Sequence, residues 1–199
     1  MPVRMAIADY GVGNLHSIRK ALEICGAEPY IVEDLSELLE AECIVFPGVG
    51  AFDKTMEKLQ PIKKKLFRRL EDAVPCLGIC IGAQLLFNGS EEGKTRGLGF
   101  YQGEVIRLKA DRVPHMGWNR VDSEDSILDG IESSYFYFAH SYHGNPSEDI
   151  AIGTTDYFGQ VPALFLKGNT YGTQFHPEKS SASGLRFLKN FVRFAEAWV

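Results

Sequence analysis

The feature that most constrains the fold is a series of short, almost entirely apolar runs in the first half of the chain. Amphipathic stretches with helical spacing separate these runs and cover residues 15–25 and 53–70, with a break near Pro61. The apolar runs are residues 5–8, 29–32, 43–46 and 74–80. Because strands that are apolar on both sides belong to sheets with both faces covered, the pattern predicts an α/β fold with a mostly parallel central sheet and helices on both faces.

The second half of the chain has a different pattern. Turn residues at short intervals separate strand-like segments, which indicates antiparallel strands added to the parallel sheet. These segments are residues 103–108, 118–121, 135–142, 150–155, 163–166 and 170–175. An amphipathic helix is predicted over residues 184–198. No linker divides the chain, so we expect one domain spanning residues 1–199.

Composition and charge exclude several classes of function. The chain has 199 residues and a net charge of −5, whereas domains that bind nucleic acid backbones are usually basic. No run approaches the ~18 apolar residues of a membrane-spanning helix. The cysteines form no CxxC pair, and the N-terminus reaches Asp9 too early for a signal-peptide core. We therefore expect a cytoplasmic protein that binds neither nucleic acid nor membranes.

One basic run departs from this overall charge. Lysines occupy positions 63–65, and Arg68 and Arg69 follow them. Leu66 and Leu70 lie beneath this run at helical spacing, so a solvated helix face is the expected structure.

The segment Gly78-Ile-Cys80-Ile-Gly82 carries the clearest chemical signal. It joins an apolar strand directly to a helix, which is the strand–turn–helix context of a nucleophile elbow. Glycines on both sides permit a sharp turn, and the free N–H groups at a helix N-terminus favour a thiolate and a developing oxyanion. Cys80 is therefore a candidate nucleophile. Cys25, Cys43 and Cys76 lack flanking glycines and are expected in the core.

A base for this nucleophile is suggested by His176-Pro-Glu178 at the end of a predicted strand. His176 could accept the thiol proton, and Glu178 could fix the tautomer of the ring. Cys80 and His176 can be neighbours only if a parallel sheet brings the carboxyl ends of two strands together. A third segment, residues 47–50, has glycines just beyond a strand end and could supply a backbone N–H to an oxyanion hole.

Together these motifs resemble the class I, triad-type glutamine amidotransferase family. Four further segments, residues 9–15, 47–52, 114–119 and 135–142, resemble the glutaminase subunits of imidazole glycerol phosphate synthases. The resemblance covers essentially the whole chain and implies a flavodoxin-like sheet. Ala83 stands where the family often has Met, and His143 where Tyr or Arg is expected, so no role is assigned to His143.

The resemblance implies roles for specific residues. Cys80 would attack the side-chain amide of glutamine, His176 would act as base and acid, and Glu178 would orient His176. The backbone at Val49 and Ile81 would form the oxyanion hole. The residues implied to bind glutamine are Gly50, Gln84, Ser141 and Tyr142.

The family also implies a partner, a (β/α)₈-barrel cyclase that uses the ammonia to make imidazole glycerol phosphate and aminoimidazole carboxamide ribotide in histidine biosynthesis. The residues expected at the docking face are Asn14, Trp118, Tyr137 and Lys179. Alternatively, Trp118 and Tyr137 could be aromatic residues that pack in the hydrophobic core.

Other functions stay open at this point. Gly11-x-Gly13 after the first strand is part of a dinucleotide-binding pattern, but its third glycine is missing. His140-x-x-His143 has no third metal ligand at a suitable spacing, so we expect neither a cofactor nor a metal. The two alternatives are a glutaminase subunit of another ammonia-channelling synthase, such as pyridoxal phosphate synthase, and a non-catalytic module that senses oxidation through Cys80.

Overall fold

A computed structural model describes residues 1–11 and 15–198. Over these residues the chain forms eleven β-strands and five α-helices. The strands are β1 (Arg4–Ala8), β2 (Glu28–Val32), β3 (Cys43–Phe46), β4 (Cys76–Ile79), β5 (Gly103–Arg107), β6 (His115–Arg120), β7 (Tyr135–His140), β8 (Tyr142–Pro146), β9 (Ala151–Asp156), β10 (Gln160–Lys167) and β11 (Thr170–Thr173). The helices are α1 (His16–Ile24), α2 (Phe52–Leu59), α3 (Lys63–Glu71), α4 (Ile81–Gln84) and α5 (Ser181–Glu196). None of the described helices is long and apolar enough to cross a membrane.

The central sheet has the strand order β2-β1-β3-β4-β11-β10-β9. Its first five strands pair in parallel, and β10 and β9 extend it in antiparallel fashion. This arrangement confirms the predicted mostly parallel sheet with added antiparallel strands. The strands are buried on both sides because successive residues of β3 enter different apolar layers: Ile44 and Phe46 pack on one side, and Val45 on the other.

Two predicted details of the second half are wrong. β5 pairs with β8, and β6 with β7, so among the described strands these form two separate two-stranded sheets rather than additions to the central one. The single strand predicted over residues 135–142 is two strands that separate at Ser141. Period-two patterning marks a strand but does not select its partner, which is why sequence reasoning missed both details.

The helical region predicted over residues 53–70 is two helices that separate near Pro61, as expected. In α3, Leu66 and Leu70 are buried while Lys64 and Lys65 are exposed. The basic run is therefore a solvated helix face. Cys25, Cys43 and Cys76 are buried in the core, as predicted.

The sheet topology brings together the segments that carry the chemistry. β3, β4 and β11 are neighbours and run parallel. Their carboxyl ends therefore lie at one edge of the sheet. Gly48, Cys80 and His176 follow the last residues of these strands by two, one and three positions.

The tight packing at this edge leads to a first prediction, which compares two glycines. A Cβ at Gly82 would collide with the carbonyl oxygen of Phe46, whereas a Cβ at Gly26 would meet open space but would require a φ of +97°. We expect Gly82→Ala to lower the free energy of unfolding by about 3 kcal/mol through overpacking. Gly26→Ala should cost only about 1 kcal/mol, because the strain is confined to the backbone.

Urea denaturation of both variants measures the two costs. A loss at Gly82 no larger than the loss at Gly26 would show that the β3–α4 contact is looser than described.

Candidate active site

Cys80 lies in the sharp turn that joins β4 to α4. Its φ of 49° and ψ of −109° are unusual for a residue with a side chain. Its backbone N–H donates to the carbonyl oxygen of Thr173 at 2.6 Å, which ties the turn to β11. A Cβ at Gly78 would lie 2.8 Å from the backbone nitrogen of Ala83, so the turn needs glycine there. The side chain of Cys80 is largely buried, and the residue is 8% exposed.

His176 follows β11 and is fixed through its backbone. Its N–H donates to the carbonyl oxygen of Tyr137 at 2.8 Å. The buried hydroxyl of Ser180 donates to the carbonyl oxygen of His176 at 2.6 Å and accepts from the Tyr137 N–H at 2.9 Å. A Cβ at Gly48 would approach Cε1 of His176 to 2.7 Å, so this glycine allows the ring to lie against the end of β3.

Glu178 orients the His176 ring. Its Oε1 lies 2.8 Å from Nδ1 of His176, and the two side chains are only 7% and 4% exposed. The other carboxylate oxygen, Oε2, is buried and has no hydrogen-bond partner among the described residues. The described hydrogen bond of this carboxylate is therefore the one with His176.

The His176 side chain also interacts with Cys80. Burial by itself lowers the pKa of His176, but hydrogen bonds and charge attraction to Cys80 and Glu178 raise that pKa to about 10. The contacts with Glu178 and Cys80 therefore favour the protonated form of the ring. A protonated imidazole beside a cysteine is the environment that stabilises a thiolate nucleophile.

Two buried glutamine side chains form a hydrogen-bonded series that reaches Cys80. The amide nitrogen of Gln84 donates to the carbonyl oxygen of Tyr142 at 2.8 Å and to Oε1 of Gln174 at 3.1 Å. Nε2 of Gln174 in turn lies 3.6 Å from the sulfur of Cys80. Sequence reasoning missed Gln174, although it lies two residues before His176 in the same motif.

The backbone groups predicted for an oxyanion hole belong to the segments that follow β4 and β3. Ile81 is the first residue of α4, so its N–H is not needed by a helical hydrogen bond. Val49 is half-buried and packs against both apolar layers. Gly50 has a φ of 109°, a conformation that glycine adopts readily.

A carboxylate that sequence reasoning missed lies beside this segment. Oε2 of Glu92 accepts from the N–H of Phe52 at 3.4 Å, at the start of α2. Asp53 on the same helix accepts from the N–H groups of Lys94 and Thr95, at 2.9–3.1 Å. The two acids tie the loop after Gly89 to the helix that follows Val49. The acidic residues are visible in the sequence, but their partners 40 or more positions away are not.

The remaining predicted residues divide between the pocket and the surface. Ser141 and Tyr142 are half-buried at the junction of β7 and β8. Trp118 and Tyr137 face each other across β6 and β7 with ring centroids 6.2 Å apart, and Trp118 is 52% exposed. Lys179 is exposed next to Glu178. Asn14 lies outside the described residues. In the described part of the chain, no group of three His, Cys, Asp or Glu side chains could hold a metal ion.

The sequence matches a family model over nearly its whole length. Residues 6–194 fit the family model described as class-I glutamine amidotransferase. The chain therefore belongs to the class I glutamine amidotransferase family.

Within that family, the chain is similar to proteins named imidazole glycerol phosphate synthase subunit HisH. The protein from Methanocaldococcus jannaschii is 46% identical over 193 residues, with 94% of this chain and 98% of that protein covered. The protein from Thermococcus kodakarensis is 45% identical over 199 residues, with 95% and 99% covered. The protein from Bacillus cereus strain G9842 is 44% identical, with 98% and 96% covered.

Solved structures support the fold assignment. A crystal structure of a glutamine amidotransferase superposes with a TM-score of 0.77 at 19% identity, with 96% of this chain and 98% of that chain covered. The structure of PurLQS from Thermotoga maritima gives a TM-score of 0.70 at 21% identity, with 100% and 99% covered. At these identities the likeness concerns the fold alone.

The His176–Glu178 pair generates a second prediction. Since Glu178 helps raise the pKa of His176, Glu178→Gln should lower that pKa, which an NMR titration of the imidazole would measure. A raised folded-state pKa stabilises the protein fully below the unfolded value of about 6.5, and this stabilisation is lost as pH rises through the folded value of about 10. The free energy of unfolding should therefore fall with pH more steeply in the wild type than in Glu178→Gln across this interval.

If the free energy of unfolding falls with pH at the same slope in both proteins, Glu178 does not contribute to the raised pKa of His176.

Proposed function

We propose that the chain is the glutaminase subunit of an imidazole glycerol phosphate synthase. It hydrolyses L-glutamine to glutamate and ammonia and passes the ammonia to a cyclase subunit. The observation that carries this proposal is that His176 interacts with Cys80 and that its Nδ1 lies 2.8 Å from the carboxylate of Glu178. The relatives named as subunits of this synthase cover nearly the whole chain at 44–46% identity.

The first half of the reaction forms a thioester. The Cys80 sulfur attacks the side-chain amide carbon of glutamine, and the carbonyl oxygen becomes an oxyanion. The C–N bond then breaks as His176 gives its proton to the departing nitrogen, which leaves as ammonia. A γ-glutamyl thioester remains on Cys80.

The second half of the reaction regenerates the enzyme. His176 is neutral after it has protonated ammonia, so it can accept a proton from the attacking water. Water adds to the thioester carbon, the C–S bond breaks, and glutamate leaves. Cys80 is released as a thiolate beside the protonated His176. Glu178 stabilises the cationic form of the ring in both halves.

The oxyanion is bound by backbone donors. We assign the N–H of Ile81 and the backbone at Val49 to this role. Loss of one such donor typically costs on the order of 10²–10³ in rate. Because the Val49 peptide is flanked by glycines, it can turn at low energetic cost, and we infer that the isolated chain is nearly inactive until its partner binds.

Four residues form the proposed glutamine site: Gly50, Gln84, Ser141 and Tyr142. The nitrogen of Gln84 is already engaged by Tyr142 and Gln174. Its carbonyl oxygen is therefore the group that remains for the substrate. Tyr142 contacts Gln84 directly through its carbonyl oxygen, and Ser141 precedes it in the chain.

The proposed partner is a (β/α)₈-barrel cyclase. Its docking face includes the exposed ring of Trp118, Tyr137 beside it, Lys179 and, by resemblance, Asn14. Tyr137 connects this face to the active site, because its carbonyl accepts from the His176 N–H. A sealed passage between the subunits would keep ammonia from being protonated and lost in water.

A third prediction concerns the nucleophile. In the complex with the histidine-pathway cyclase, Cys80→Ala should abolish glutamine-dependent synthesis, while added ammonium still supports it. Cys25→Ala is the matched control: Cys25 follows α1, its thiol donates to the carbonyl oxygen of Leu185 on α5, and no role in catalysis is assigned to it, so this variant should keep glutamine use. Product formation with each nitrogen source is the measurement. Continued use of glutamine by the Cys80 variant would exclude Cys80 as the nucleophile.

A fourth prediction concerns the docking face. Trp118→Ala should weaken cyclase binding and reduce stimulation of glutaminase activity by about tenfold or more, because exposed aromatics at interfaces often carry over 2 kcal/mol. Trp198→Ala is the control, because Trp198 is 58% exposed and Trp118 is 52% exposed. This variant should leave cyclase binding and the stimulation of glutaminase activity unchanged. Equal effects of the two variants, or no stimulation of the wild type by the cyclase, would count against this assignment.

A further inference from the structure

Two buried histidines next to the active site have no part in the mechanism above. His115 and His140 are directly opposite each other in the β6–β7 pair and are 3% and 5% exposed. Nδ1 of His115 lies 3.2 Å from Nε2 of His140. The ring of His115 is stacked between Phe138 and Tyr157, at centroid distances of 4.5 Å and 3.8 Å. Both rings are therefore held in fixed positions.

The partners of these rings determine where each proton lies. Nδ1 of His140 is 2.9 Å from the carbonyl oxygen of Tyr142, which can only accept, so Nδ1 must carry the proton. In the neutral ring, Nε2 of His140 is then an acceptor. Nδ1 of His115 must donate to it, and Nε2 of His115 becomes an acceptor in turn.

Asn119 is the first donor in this series of hydrogen bonds. Its Nδ2 donates to the carbonyl oxygen of Asp156 at 2.8 Å, which fixes the orientation of the amide. The same nitrogen lies 3.4 Å from Nε2 of His115 and can donate to it. The hydrogen bonds therefore run one way, from Asn119 through His115 and His140 to Tyr142. Trp118 of the proposed docking face is adjacent to Asn119 on β6.

The chain of hydrogen bonds ends at the proposed glutamine pocket. The carbonyl oxygen of Tyr142 accepts from both His140 and Gln84, so both of its lone pairs are used. Gln84 also binds Gln174, whose amide lies beside the Cys80 sulfur. A shift of the Tyr142 peptide would therefore move the side chain whose free oxygen faces the substrate.

The surroundings keep both rings uncharged. Burial lowers the pKa of His115 to about 4 and that of His140 to about 3. The hydrogen bond to Tyr142 opposes this shift for His140, while the neighbouring His115, His143 and His176 add to it. A second proton on either ring would also turn the one acceptor nitrogen into a donor that faces another donor.

We propose that neutral His115 and His140 are positioning residues for glutamine: they hold the Tyr142 carbonyl in the orientation that fixes Gln84. This inference rests on the proposed function, which places Tyr142 and Gln84 in the glutamine pocket. It also connects the docking strand β6 to the substrate pocket by hydrogen bonds alone.

The proton positions can be tested without substrate. Long-range proton–nitrogen NMR correlations of the ¹⁵N-labelled full chain near neutral pH report which ring nitrogen is protonated. We expect both rings to be neutral with the proton on Nδ1, the less common tautomer of histidine in water. A proton on Nε2 of either ring, or a charged ring, would overturn the proposed direction.

The positioning role is tested by kinetics of the complex with the cyclase. His140→Leu removes the donor to Tyr142 and should raise the KM for glutamine about tenfold, with a smaller change in kcat and unchanged ammonium-dependent synthesis. His140→Asn can present an amide N–H near the position of Nδ1 and should recover most of the loss. His143→Asn is the control, since His143 is buried nearby but bonds Gly144 instead.

Three outcomes would overturn the positioning role. These are an unchanged KM in His140→Leu, no recovery in His140→Asn, and a KM increase in His143→Asn as large as that in His140→Leu. A wild-type complex that does not hydrolyse glutamine would overturn the proposed function and the positioning role together. The NMR result would still report the hydrogen-bond chain separately.

Discussion

The parallel pairing of β4 with β11 is the constraint on which the rest of the site depends. It places the turn after β4 beside the end of β11, and the 2.6 Å hydrogen bond from Cys80 to Thr173 fixes the two together. His176 is only three positions after Thr173, so the position of the imidazole follows from the same pairing. The glycines at 48, 78 and 82 allow the three strand ends to approach this closely. Without this pairing, Cys80 and His176, which are distant in the sequence, would not lie close together.

The buried histidines differ in protonation because different groups surround each ring. His176, His115 and His140 are all buried, and burial alone favours the neutral form of each ring. His176 has a carboxylate and a sulfur as neighbours, so it is cationic. His115 and His140 have each other, an amide and a carbonyl group, so they stay neutral. The same side chain thus supplies a proton donor at one place and a fixed hydrogen-bond direction at another.

Local sequence patterns predict much of this structure because they report on short-range physics. The apolar runs identify the parallel strands, and Gly78-Ile-Cys80-Ile-Gly82 identifies the turn, since only glycine fits those positions. The break at Ser141 and the separate pairs β5–β8 and β6–β7 depend on which strands meet, and periodicity does not encode that choice. Gln174 was missed for a similar reason: its contact with Cys80 exists only once β4 and β11 are paired. Likewise, the role of His140 depends on Tyr142 and Gln84 from two other elements.

The central claim is that Cys80 becomes acylated by glutamine. The most direct measurement is rapid acid quenching of the complex during turnover of glutamine, followed by peptide mass analysis. The peptide that contains Cys80 should carry one γ-glutamyl group, which disappears when the thioester is allowed to hydrolyse. An unmodified Cys80 peptide under conditions of active turnover, or a glutamyl group on a different residue, would contradict the mechanism.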